Sequence, residues 1–166
     1  MFHLPFPAPG HPTRPAFDIA GETGSGGLGN LPVWDLTDLY AAPDAPELQA
    51  DLDFVETACA SFAADYEGQL ATLDAAGLLD CVRRNEAIST KMGRIMSYAG
   101  LRYYQKTTDA ERAKLLSDLQ EKITNFSTPT VFFTLELNRL PDDHLDRLFA
   151  DNADLARYKP VFDRIR

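Results

Sequence analysis

From Leu48 onward the apolar positions fall in alternating steps of four and three, the spacing that draws one stripe down a helix. Leu48, Leu52, Val55, Cys59, Phe62 and Tyr66 make the first stripe. Asp44 with Glu47 three residues later has the form of a capping box, and Pro46 sits in the first turn, where its missing N–H costs nothing. Gly68 offers a stop, because glycine adopts the left-handed conformation that ends helices. A second helix is predicted from about Leu78 to Gln105, with Val82, Ile88, Met92, Ile95, Met96, Ala99 and Tyr103 on its apolar side. Gly77 blurs its start. Gly93 and Gly100 lie inside it, each at a cost of up to about 1 kcal/mol relative to alanine, and close helix–helix approach is their expected use.

The third stripe begins at a second capping box, Thr108 with Glu111, and runs through Leu116, Leu119, Ile123, Phe126, Thr130, Phe133, Leu137 and Leu140. Pro129 removes one backbone donor inside this run and predicts a kink near Asn125. The stripe keeps its phase across Pro129, which favours one bent helix over two. After Pro141 two shorter helices are expected, about Asp142–Phe149 and Ala153–Arg166, with Asn152 capping the second. That last pattern is still running at Arg166, as it would in a chain that was cut rather than finished. Val131-Phe132-Phe133 is β-prone in isolation, but its place in a long helical period argues for helix. The fold class is therefore all-α: an antiparallel bundle of long, partly kinked helices over residues 31–166.

Ahead of it, residues 1–30 are rich in proline and glycine and have too few apolar residues to offset the entropy of ordering, so they read as a flexible leader. Gly24-Ser25-Gly26-Gly27-Leu28-Gly29 lacks the lysine of a phosphate-binding loop and its strand–helix frame. Prolines break up the start too often for a secretory signal, and no apolar run reaches the roughly 18 residues of a membrane span. A cytoplasmic protein follows as the default. The net charge of −9 argues against nucleic acid, whose binding needs clustered Lys and Arg. Cys59 and Cys81 form no C-x-x-C and fall on apolar faces, as buried free thiols do.

Candidate chemistry is sparse. His3 is followed by Leu4, His11 by Pro12 and His144 by Leu145, so no H-E-x-x-H zinc helix can be written. Asp142-Asp143-His144 with Asp146 reads as an acidic first turn that complements the helix dipole rather than as a metal site, since neighbours point to different sides of a helix. Trp34 is expected to anchor the leader onto the bundle by its burial.

Four short segments carry more information. Trp34-Asp35-Leu36-Thr37-Asp38-Leu39-Tyr40 resembles the opening of oligoendopeptidase F, one of the thimet-oligopeptidase-like zinc peptidases. Tyr66-Glu67-Gly68-Gln69-Leu70, Tyr98-Ala99-Gly100-Leu101-Arg102-Tyr103 and Phe132-Phe133-Thr134-Leu135-Glu136-Leu137 match it in order and spacing. The resemblance implies an N-terminal helical lobe that faces a C-terminal catalytic lobe across a channel for short peptides. Zinc, two histidines, a downstream glutamate and the H-E-x-x-H general base belong to that second lobe of the parent enzyme. No position here matches them, so no catalytic or metal residue is carried over, and the chain alone is expected to be inactive. Tyr98, Tyr103, Tyr104 and Glu136 are the candidates for the channel wall. Against this stand core packing for the tyrosines, with hydroxyls reaching solvent, and for Glu136 a solvated face or an ion pair with Arg139 or Arg102. The rival reading is a stand-alone helical interaction module, whose stripes seat a partner helix or a second copy of the chain. Under either reading a stripe left exposed would favour self-association.

Overall fold

The structure, a computed structural model, describes residues 33–165. The leader, its glycine-rich end, His3, His11 and Arg166 lie outside the described residues. The described chain is all-helical: α1 (Pro46–Tyr66), a 3₁₀ turn (Leu70–Thr72), α2 (Ala75–Tyr104), α3 (Ala110–Ser127), a second 3₁₀ turn (Thr128–Val131), α4 (Phe132–Leu137), α5 (Asp142–Asp151), α6 (Ala153–Ala156) and α7 (Lys159–Ile165). None of these helices is long and apolar enough to cross a membrane.

α1 and α2 form an antiparallel hairpin, and α3 packs on both. Polar pairs mark the hairpin's register. Tyr66 bonds Asp80 near the turn, Arg84 pairs with Asp65 at 2.8 Å, and Lys91 and Arg94 reach Asp51 further along. The first stripe is buried at all six predicted positions. Along α3 only Leu119 is fully buried, while Leu116, Ile123 and Phe126 pack on the core from partly exposed positions. The core also draws on α2, on Tyr40, Ala45 and Leu70, and on Phe132, Phe133, Leu137, Leu140, Leu145, Leu148, Leu155 and Phe162.

The helix starts differ from expectation in instructive ways. Ala45, not Asp44, stands at the head of α1, and no side chain caps it; Pro46 at the first helical position lowers the number of donors needing a partner. Asp109, not Thr108, caps α3, accepting from the amides of Glu111 (3.1 Å) and Arg112 (3.3 Å). A carboxylate there satisfies the donors and also meets the positive end of the helix dipole. α2 begins at Ala75, three residues before the predicted start, because Asp74 accepts from the Gly77 amide at 2.7 Å. A Cβ on Gly77 would stand 3.3 Å from that same carboxylate oxygen. The glycine that obscured the boundary is the residue that lets the cap close. Asn152 caps α6 as predicted, bonding the amides of Asp154 and Leu155.

The predicted bent helix over Leu116–Leu140 is divided. Pro129 sits in a 3₁₀ turn that begins at Thr128, three residues beyond the expected kink. The backbone stays right-handed through it, with Ser127 at φ −81° and Val131 at φ −58°, so the apolar phase survives while the α-type ladder is lost. Hydroxyls of Thr128 (2.8 Å) and Ser127 (3.3 Å) donate to the Thr124 carbonyl, and that of Thr130 donates to Ser127 O at 2.8 Å. These bonds serve carbonyls beside the break. The last predicted helix is also divided, into α6 and α7. Pro160, at the second position of α7, has no N–H to carry α6 onward.

Two glycines correct the sequence reading. Gly93 has open space where its Cβ would stand, and Gly100 meets only Tyr104 of its own helix at 3.9 Å. Neither mediates a close helix crossing.

Candidate functional site

The four predicted channel residues do not converge. Glu136, on α4, accepts from the Gly68 amide at 2.6 Å through one carboxylate oxygen and from the Leu70 amide at 3.3 Å through the other. It is partly exposed and pairs with neither Arg139 nor Arg102 among the described residues; it caps the backbone where the chain leaves α1. That turn needs it. Gly68 sits at φ +76°, which ends the helix and aims its amide and that of Leu70 away from any helical acceptor. Beneath the contact, Phe62 packs against Tyr66, Phe132 and Phe133 with centroids 5.2–5.7 Å apart.

Tyr98 is buried in the core, edge-on to Tyr40 with centroids 5.3 Å apart. Its hydroxyl does not reach solvent and makes no hydrogen bond among the described residues. Burial raises its pKa, the Arg102 charge opposes that rise, and Asp44 adds to it. Tyr103 is half-buried and Tyr104 exposed at the end of α2, their rings 5.5 Å apart. Glu136 lies near enough to Cys81 to bear on its thiol. From Cys81 to Tyr98 is roughly 25 Å of helix at about 1.5 Å per residue. The tyrosines and Glu136 therefore serve opposite ends of α2.

Trp34 is 56% exposed, so its indole is not the buried anchor the sequence suggested. Its carbonyl takes part instead, accepting from Gln105 Nε2 at 2.7 Å. The anchor is Tyr40, 2% exposed, and it leads to a cluster that the stripe analysis passed over. Asp51 is the one buried charged residue among those described. Oδ2 accepts from the Tyr40 hydroxyl at 2.7 Å and from Arg94 at 3.3 Å, while Oδ1 accepts from Lys91 at 2.7 Å. Arg94 also lies over the Tyr40 ring at 4.5 Å and donates to the Leu39 carbonyl. Burial alone would raise the Asp51 pKa; the hydrogen bonds from Lys91 and Tyr40 and the two cationic charges outweigh it and hold the carboxyl below its ordinary value. The same burial, with Asp51 beside it, pushes the Tyr40 phenol up. The signal was present in the sequence. Asp51 interrupts the apolar face between Leu48 and Val55, and Lys91 and Arg94 flank Met92 and Ile95 on the facing helix.

Cys59 and Cys81 are buried free thiols. Burial pushes Cys81 up to about 12; Arg84 opposes this, while Asp80 and Glu136 add to it. Such a thiol is a poor nucleophile. His144 Nε2 is buried with no hydrogen-bond partner among the described residues, and Asp143 turns outward to Arg147 at 3.3 Å. Among the described residues no three His, Cys, Asp or Glu side chains come together as a metal site requires. The described residues do not fit the zinc of the resembled enzymes.

A shallow groove of about 630 Å³ runs between the start of α1 and α3. Leu48, Leu52, Leu115 and Leu119 form its floor, with Asp44, Asp118, Glu121 and Lys122 on its rim. Its lining combines these leucines with acidic and amide side chains and the single cation of Lys122. Comparisons of the chain with family models, with curated proteins and with solved structures find no match.

Proposed function

We propose that the chain is the N-terminal helical lobe of an oligoendopeptidase F-type zinc peptidase, a cytoplasmic enzyme that hydrolyses internal bonds of short peptides. In this reading the lobe supplies a channel wall and a size filter, and its partner is the catalytic lobe of the same enzyme. The observation that carries it is how the four resembling segments meet. The segment Trp34–Tyr40 lies against Tyr98–Tyr103, through the Tyr40–Tyr98 ring contact. The segment Tyr66–Leu70 lies against Phe132–Leu137, through the two amide bonds to Glu136. Words that resemble one family and are scattered along a chain need not touch. Here each touches another, at the two joints that fix α1 and α2 to their neighbours. The resemblance thus falls on architecture rather than chemistry, as a lobe without catalytic residues requires.

The described residues bring no group of zinc-ligand side chains together, so no step of hydrolysis is assigned to them. Purified chain equilibrated with zinc is expected to hold far less than one ion per molecule and to leave a fluorogenic peptide intact. One tightly bound zinc per chain, or metal-dependent cleavage, would overturn the reading.

The alternative, a helical interaction module, draws on Val131 and Leu135, spaced as one helical face and more than half exposed. Light scattering tests this surface: a discrete oligomer lost on V131D/L135D substitution would support self-association through it, and a monomer across the concentration range would count against self-association under either reading.

A further inference from the structure

Residues 34–40 form a strap ahead of α1 that is closed on itself. Asp35 accepts from the Thr37 amide at 3.0 Å and hydroxyl at 2.8 Å, and the Leu36 carbonyl accepts from the amides of Leu39 (2.9 Å) and Tyr40 (3.1 Å). The strap's grip on the bundle is narrow. Tyr40 is its only fully buried side chain; Leu36 and Leu39 are partly buried and the rest are exposed. The polar attachments are Gln105 to the Trp34 carbonyl, Arg94 to the carbonyls of Leu39 and Asp38, and Tyr40 to Asp51. Asp51 holds two of these three in place, because it binds Arg94 as well as the Tyr40 hydroxyl.

We propose that Asp51 is a releasable fastener: protonating it detaches residues 34–40 from the α1–α2 hairpin while the hairpin itself stays folded.

The charge balance supplies the reason. The charged and titratable groups that face Asp51 are Tyr40 from the strap and Lys91 and Arg94 from α2. Ionised, Asp51 stands as one anion between two cations. Protonated, it loses the negative charge that holds Lys91 and Arg94 and commits one oxygen to a proton, so their grip weakens and with it the position from which Arg94 binds the Leu39 carbonyl. The hairpin rests on the whole core and tolerates this. A segment with one buried side chain opens at much smaller cost. Lifting it bares the α2 face of Tyr98, Arg102 and Gln105, which the strap now covers around a polar pocket of about 110 Å³.

The sign follows from the direction of the shift. Asp51 titrates below its ordinary value in the folded chain. Its contribution is therefore complete above the unfolded value of about 3.9 and disappears as pH falls through the lower folded one. Release belongs to that acid window.

Trp34 is the chain's single tryptophan, which makes the strap visible. Trp34 anisotropy and hydrogen exchange at the Leu39 and Tyr40 amides are followed against far-UV ellipticity from pH 7 downward. The expected result is loss of strap signals at a higher pH than loss of helix. Tyr40→Phe, which keeps the ring and removes one bond to Asp51, is expected to speed strap exchange at pH 7 about tenfold with ellipticity unchanged. Asp51→Asn is expected to open the strap already at pH 7; should it not fold, Tyr40→Phe decides. Coincident loss of strap and helix, or wild-type exchange in Tyr40→Phe, would overturn the proposal.

Discussion

Glu136 shows how a residue chosen for function turns out to have structural work. Its two carboxylate oxygens take two backbone amides that the end of α1 leaves without helical partners. Removing it should leave the exposed Gly68 amide to water and the part-buried Leu70 amide without its acceptor. Glu136→Ala is expected to lower stability by about 2 kcal/mol, and Glu136→Gln by about 1 kcal/mol, since the amide keeps a single acceptor oxygen. Urea denaturation of the two variants checks this; no loss in Glu136→Ala would return the residue to the list of channel candidates. Nothing local could have revealed the role, because the contact spans 68 positions and is made to backbone. Asp51 is the opposite case. A carboxylate on an apolar face, opposite two cations on the next apolar face, could be read from the sequence once the hairpin was assumed. Stripe counting passes over it because it scores only apolar positions.

The helices themselves were largely legible. The four-three alternation located α1 and α3 and a looser apolar side located α2, and every residue of the first stripe is buried. Boundaries were less so, because capping depends on which of two adjacent polar residues turns inward. Asp109 displaces Thr108, and Asp74 caps α2 beside Gly77, where a Cβ would crowd its carboxylate at 3.3 Å. The Pro129 run was misjudged for a related reason: a preserved apolar phase shows that the chain keeps turning, not that the α ladder persists. The glycines of α1's end and α2's middle give a paired test of this account. Gly68, at φ +76°, is required by its backbone, so Gly68→Ala should cost about 1 kcal/mol. Gly93 has helical backbone and open space around it, so Gly93→Ala should gain about 0.5–1 kcal/mol. Thermal denaturation of both variants should show opposite signs; two shifts of the same sign would contradict the roles assigned.

Taken together, the described residues make a helical bundle whose polar contacts of note fasten one segment to another. Burial raises the pKa of both its thiols, the acidic side chains of its α5 first turn are exposed, and its groove has a leucine floor with a charged rim. The four segments on which the proposal rests meet at the two joints of the α1–α2 hairpin, and the proposal places the chemistry in a catalytic lobe outside the described residues. The reading frame tests that most directly. Sequencing the transcript onward from codon 166 should reveal an open frame that continues to an H-E-x-x-H motif with a glutamate downstream. A stop codon directly behind Arg166, or a continuation without that motif, would contradict it.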